Sequence, residues 1–155
     1  MQNIYQKTLS KNIGFKGIGL HSGVISTLNI IPAKTNTGII FKRVDLKTNN
    51  LITAKFNNVT SAKLCTTLEN KHGVKVSTVE HLLAALYIAG IDNAVIGINN
   101  EEVPIMDGSA KDFIEVLNKV DVIDQPKKRK YLKVSKKIEL VDGKRKIFIE
   151  PHENS

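Results

Sequence analysis

The stretch from Ser77 to Leu86, continuing to Ala89, constrains this chain more than any other, because it reads as a helix that is apolar almost all the way round. Val79, Leu82, Leu83, Leu86 and Ala89 make one face at helical spacing, and Ala84, Ala85 and Ile88 lie on the other side, around His81. Only Glu80 and Tyr87 break the pattern. Such a helix needs cover on two sides, which calls for a layer below it and another above. Ser77 followed three residues later by Glu80 has the form of a capping box, so the helix is expected to open there. Gly90 suits the left-handed turn that ends it. The pair Glu80-His81 is then either an acid/base or metal-ligand pair, or a structural cap beside a packed imidazole.

The flanking segments set the fold class. Ile4 to Leu9, Ile13 to Phe15, Ser26 to Ile31 and Gly38 to Arg43 read as strands, the third stopped by Pro32. Shorter β pieces follow at Leu51 to Ala54 and Leu64 to Leu68, and Ala94 to Ile98 is a strand after Asp92-Asn93. Gly14, Gly17, Gly19 and Gly23 surround Leu20-His21-Ser22, a turn in which backbone can approach a ligand closely. Its spacing is neither a Walker loop nor a nucleophile elbow. Ser109 can cap a second helix with Phe113, Ile114, Val116, Leu117 and Val120 as its stripe. Asp124-Gln125-Pro126 reads as a linker, and Tyr131 to Val141 with Lys144 to Glu150 reads as a hairpin about Asp142-Gly143. The expectation is α+β, a two-layer sandwich with two helices on one face of a sheet.

Charge divides the chain in the same place. Positions 127 to 146 hold ten Lys and Arg against Glu139 and Asp142, so the whole net charge of +8 resides there and the remainder is balanced. A domain over 1–126 followed by a separate unit over 127–155 is the organisation this suggests. The basic part is either one solvated face of a strand pair or a surface for RNA or anionic lipid. Aromatic residues for base stacking are few, Tyr131 and Phe148 only. The sequence has no apolar run of membrane-spanning length, and a single cysteine, Cys65, fits a reducing compartment, so a cytoplasmic protein is expected.

A catalytic zinc takes about three protein ligands and keeps one position for water. His81 stands alone on its helix, without the paired histidines of zincins. His21 and Cys65 are the residues that a fold would have to bring near it. Asp107, in Met106-Asp107-Gly108, is either a functional carboxylate or a turn and helix-entry residue.

Six ordered motifs carry a resemblance: Gly17-Ile18-Gly19-Leu20-His21-Ser22-Gly23, Asn36-Thr37-Gly38 through Phe41-Lys42-Arg43-Val44-Asp45, Leu64-Cys65-Thr66-Thr67-Leu68, Ser77-Thr78-Val79-Glu80-His81-Leu82, Gly90-Ile91-Asp92-Asn93 and Pro104-Ile105-Met106-Asp107-Gly108-Ser109-Ala110. Together they resemble the N-terminal domain of the UDP-3-O-acyl-N-acetylglucosamine deacetylases, zinc amidases of lipid A synthesis. The resemblance implies two similar α+β domains with their helices sandwiched between the sheets, which accounts for a helix with two apolar faces. It implies His81 as a zinc ligand and Glu80 as general base. It places Leu20, His21, Leu64, Cys65 and Asp107 about the substrate. Expected partners are a UDP-linked acylated glucosamine and, peripherally, membrane lipid, with no nucleic acid.

The family draws its other two zinc ligands, a His and an Asp, and a catalytic histidine from the second domain. Those motifs do not occur before Ser155. Half an active site is therefore expected, in a truncated piece, a broken gene product or one part of a split enzyme. Such a chain is expected to be inactive alone and to self-associate through its uncovered helix face, whereas the full-length family is monomeric. The alternative is a non-catalytic module that binds RNA or anionic lipid with its basic hairpin.

Overall fold

The computed structural model describes residues 4–152, and its core is one mixed sheet with two helices against one face. The sheet contains β2 (Ile13–Ile18), β3 (Ile25–Pro32), β4 (Ile39–Arg43), β5 (Leu51–Thr53) and β9 (Ala94–Ile98), in the order β2-β3-β9-β4-β5. All neighbours are antiparallel except β4 and β9, which run parallel. Period-two alternation decides the faces. In β3, Ser26, Leu28 and Ile30 are buried while Thr27, Asn29 and Ile31 face out. Phe15, Phe41, Ile52, Ile96 and Ile98 join Leu28 and Ile30 beneath the helices.

Helix α1 (Glu80–Ile88) and helix α2 (Lys111–Leu117) lie side by side on that face. Val79, Leu82, Ala85, Leu86, Phe113 and Leu117 are buried there, and Phe113 meets Phe15 in a tilted ring contact at 5.1 Å. Ala85 therefore belongs to the inner face, contrary to the sequence reading: it neighbours Ala89 and Leu82 on the wheel, and being small it fits close under the helix. Ala84, Tyr87 and Ile88 are exposed. The helix ends as expected, with Gly90 at φ 73, the Ile91 N–H donating to the Leu86 carbonyl and the Gly90 N–H to that of Tyr87.

Three sequence expectations fail in instructive ways. Asp124-Gln125-Pro126 is no linker but the middle of β10 (Val122–Lys128), which pairs antiparallel with β1 (Tyr5–Leu9). Proline is tolerated because this is a two-stranded edge ribbon, irregular in register between Tyr5 and Lys7. The hairpin of β11 (Ile138–Asp142) and β12 (Arg145–Ile149) pairs Asp142 with Arg145, so its turn is Gly143-Lys144, with Gly143 at φ 57 in the first central position. Its first strand starts at Ile138, not at Tyr131. Gly14 and Gly17 lie inside β2, leaving Gly19 to Gly23 as the turn.

The β1–β10 ribbon joins the main sheet through side chains and through the Asp92 and Asn93 N–H groups, which donate to the Lys7 carbonyl at 2.9 and 3.1 Å. Thr8 donates its hydroxyl to the Asn93 carbonyl at 2.6 Å, and Asn93 Nδ2 donates to Gln6 Oε1 and Gln125 Oε1 at 2.9 and 2.7 Å. Asn93 Oδ1 accepts the Gly38 N–H at 2.8 Å. Arg129 grips both Asp92 carboxylate oxygens at 2.9 Å and the Gly90 carbonyl at 2.5 Å, which fastens the chain after β10 to the end of α1. A third small sheet, β6 (Val59–Ser61), β7 (Thr67–Glu69) and β8 (Lys75–Val76), leads into α1.

Asn93→Ala leaves the Gly38 N–H and Gln125 Oε1 without their partner in a part-buried place, while Gln6 Oε1 keeps the Asn36 N–H. It is expected to cost about 2–3 kcal/mol, read by urea denaturation of the chain.

Candidate active site

The start of α1 is held by two carboxylates, Glu80 and Glu102. No capping box forms. Ser77 pairs with Glu102 in a parallel bridge, its N–H donating to the Glu101 carbonyl at 2.8 Å, while the Val103 N–H donates to the Ser77 carbonyl at 3.1 Å. Ser77 is thus an edge residue, and Thr78 turns the chain with φ 56, so the hydroxyl cannot reach the first helical N–H groups. Glu80 points outward instead, its Oε2 accepting the Thr66 N–H at 3.1 Å. Among the described residues Oε1 has no protein donor, which leaves it accessible to water or substrate. That bond pins the loop carrying Leu64 and Cys65 beside the helix start.

Glu102 carries the other side. It is 3% exposed, and it accepts the His21 N–H and the Thr78 hydroxyl on Oε1 at 2.9 and 3.1 Å, and the Ser22 N–H on Oε2 at 2.8 Å. The glycine turn therefore does approach an anion closely, but the anion is a side chain of the same protein. A Cβ at Gly19 would run into Glu102 Oε2 and Ser22 Oγ, so only glycine fits. Gly17 has the same character towards Pro104, whose Cβ would lie 2.9 Å from an added Cβ, and the Ile105 N–H donates to the Ile18 carbonyl at 2.9 Å.

Burial alone raises the Glu102 pKa, but its donors, Ser22, His21 and Thr78, outweigh that and hold it below the ordinary 4.5. A carboxylate with a depressed folded value adds stability at pH above its ordinary range, and the contribution disappears as pH falls through the folded value.

The segments about α1 are strained. Thr78 at φ 56, Leu64 at φ 68 and Met106 at φ 53 all sit in the left-handed region without being glycine, and Thr78 is β-branched. Each costs on the order of 1–3 kcal/mol, and such positions cluster at functional sites. Leu64 and Leu20 stand at loop tips, 85% and 61% exposed, as apolar surface beside the helix start.

The residues singled out in sequence divide accordingly. Glu80 and the Leu64–Thr66 loop meet directly, and Leu20-His21 reach the same helix start through Glu102 and Thr78. Cys65 is half-buried, with Sγ 3.9 Å from Thr67 Oγ1. His81 is half-buried with Nδ1 fully enclosed and unpartnered, so Nε2 is the nitrogen through which it can reach a ligand. Asp107 is exposed and accepts the Ser109 N–H and hydroxyl, at 2.9 Å from Oδ1; those bonds hold its carboxyl below the ordinary range. Ser109 Oγ in turn accepts the Lys111 N–H at 3.0 Å, opening α2.

Among the described residues no three His, Cys, Asp or Glu side chains converge to hold a metal. The donor set thus fits one ligand of a zinc, not a complete site. Sequence reading missed Glu102 altogether. An acid between a turn at Asn99-Asn100 and Val103-Pro104 looks like surface, and its only sequence trace is Gly19, far away in the chain.

The fold and this arrangement define an α+β domain that presents a carboxylate and an imidazole side by side at a strained helix start. The chain belongs to the UDP-3-O-acyl N-acetylglycosamine deacetylase family, whose model matches residues 6–155. Proteins named UDP-3-O-acyl-N-acetylglucosamine deacetylase are similar to it: that of Citrifermentans bemidjiense is 48% identical over 148 residues, that of Geotalea uraniireducens 46% over 147, and that of Shewanella sp. strain W3-18-1 43% over 148. These matches take in 95–96% of this chain and 48% of each relative, so the chain spans about half the length of the curated relatives it matches.

Two outcomes are expected at this site. Gly19→Ala, which sets a methyl group against Glu102, should lower stability by about 1–3 kcal/mol or more, measured by thermal melting. The stability gap between wild type and Glu102→Gln should be widest near neutral pH and narrow as pH drops below 4.5, because only then does the wild-type carboxylate lose its charge.

Proposed function

We propose that this chain supplies the Glu80–His81 half of a zinc-dependent amide-hydrolysing site that removes acetate from UDP-3-O-acyl-N-acetylglucosamine in lipid A synthesis. The observation that carries the reading is the arrangement at the start of α1. Glu80 offers one carboxylate oxygen outward while the other is anchored to Thr66, and His81 has only Nε2 available beside it. Family membership and the relatives' printed name supply the substrate class.

In this reading His81 Nε2 is one ligand of the zinc. The remaining ligands, a His and an Asp, come from a second domain as the family pattern implies, and the boundary expected after position 126 moves beyond Arg129, because β10 runs through Lys128 in register with β1 and Arg129 is bound to Asp92. Zinc, when bound, supplies the electrostatic pull that makes water a nucleophile near neutral pH. Glu80 takes the proton of the attacking water as its oxygen bonds to the acetamide carbonyl carbon. The C–N bond then breaks, the amine leaves with the proton that Glu80 took from the water, and acetate is the other product. The Thr66 anchor keeps the Glu80 carboxylate oriented throughout.

Leu20 and Leu64 offer apolar surface on the two loops flanking α1, suited to an acyl chain, while His21, Cys65 and Asp107 lie in the segments that border it. No helix among the described residues is long and apolar enough to cross a membrane. A cytoplasmic enzyme touching membrane lipid peripherally fits a substrate with a nucleotide head and an acyl tail.

The non-catalytic alternative fares less well. Within Lys127-Lys128-Arg129-Lys130, Arg129 is committed to Asp92, and in the hairpin Lys146 pairs with Glu139 at 2.7 Å while Lys137 lies 4.5 Å above the Phe148 ring. These cations are partly spent within the chain.

Glu80→Gln, placed in a chain with deacetylase activity, should keep the fold and bound zinc while losing roughly 10²–10⁴-fold in kcat on UDP-3-O-acyl-N-acetylglucosamine. A near-normal rate would reduce Glu80 to an anchor for Thr66.

A further inference from the structure

We propose that Glu102 is a positioning residue for the Glu80–His81 pair, acting through the backbone of Thr78; this deepens the reading given under Proposed function and rests on it. The inference starts from a conflict. Thr78 is β-branched and buried, yet it holds φ 56, a conformation that such a residue avoids unless its surroundings impose it. What imposes it is visible on both sides. Before it, Ser77 is locked by the bridge to Glu102 and by the bonds to Glu101 and Val103. Its own hydroxyl is bound to Glu102 Oε1 at 3.1 Å. After it, Val79 is fully buried and Glu80 begins the helix.

Thr78 therefore sets the direction in which α1 leaves the sheet, and with it where Glu80 and His81 point, two and three residues on. Rotating φ back to an ordinary negative value would swing the first helical turn away from the Thr66 anchor. Glu102 itself cannot drift: His21 and Ser22 donate backbone N–H groups to it, and Gly19 leaves it room that any Cβ would take. One buried carboxylate thus couples the 19–23 turn, which carries Leu20 and His21, to the helix that carries the proposed base and ligand. Among the described residues Glu102 bonds to the His21, Ser22 and Thr78 groups and not to Glu80 or His81, so its part is to orient that pair.

Glu102→Gln keeps the size of the side chain but sets an amide NH2 against one of the N–H donors. Thr78→Gly allows positive φ without any partner. If Glu102 works through Thr78, adding Thr78→Gly should repair much of what Glu102→Gln damages; a merely structural role predicts that two destabilising changes worsen each other.

Two readouts separate the possibilities. In this 155-residue chain, Glu102→Gln is expected to move the His81 ring resonances and the Thr66 amide resonance in NMR spectra. The Glu102→Gln/Thr78→Gly pair should bring them back towards wild type. In a chain with deacetylase activity, Glu102→Gln should lower kcat about 10–100-fold with KM nearly unchanged, and Thr78→Gly should restore most of it. Should Glu102→Gln not fold, Thr78→Val, which exchanges the hydroxyl for a methyl group and so breaks the bond to Glu102, takes the place of the single variant with the same shifts expected. Wild-type His81 and Thr66 resonances in a folded variant, or a double variant worse than the single, would overturn the proposal. If the resonances behave as expected while Glu80→Gln keeps full activity, the positioning stands and the catalytic reading falls.

Discussion

A carboxylate buried to 3% exposure and fed by two backbone N–H groups and a hydroxyl holds together the segments at the start of α1. Removing charge from water is costly unless donors replace the lost hydration, and Glu102 has three of them from two separate segments. Because those donors lie on the β2–β3 turn and on Thr78, the charge cannot be satisfied unless both segments are in place. The strain at Thr78 persists for the same reason. The helix start is thus determined by long-range bonds rather than by a local cap.

The sheet and helices behind it are ordinary by comparison, and they were legible. Alternating Ser26 to Ile31, the β-branched run Ala94 to Ile98 and the 3.6-residue stripes of both helices announce themselves, because burial on one face imposes a period that short segments display on their own. The Gly90 stop was equally plain, since it needs only residues within one turn. Expectations failed where the partner lies far off in sequence. Ser77 and Glu80 have capping spacing, but each is engaged elsewhere, with Glu101 and with Thr66. Asp124-Gln125-Pro126 has linker composition, yet Gln125 is bound to Asn93 and to the Ala33 carbonyl.

The candidate site shows the same division. Glu80 and His81 stand out because an acid and an imidazole interrupt an apolar helix. That Glu80 would face the Leu64–Thr66 loop, and that His21 would arrive through Glu102, depends on contacts across 14 and 81 residues of sequence. The outer face of α1, with Ala84, Tyr87 and Ile88 uncovered, answers the original puzzle of a helix apolar on two sides: the sheet covers one of them. The β11–β12 hairpin likewise shows Ile138, Leu140, Ile147 and Ile149 to solvent, cross-strand neighbours on one face.

The central claim is that these residues contribute one ligand to a shared zinc site. Metal analysis of the 155-residue chain after exhaustive dialysis tests it most directly. A single imidazole cannot hold zinc against dialysis where about three ligands are the rule, so the zinc content should be far below one per chain and unaltered in His81→Ala. Stoichiometric zinc that survives dialysis and disappears with His81→Ala would contradict the account and reveal a site complete within these residues.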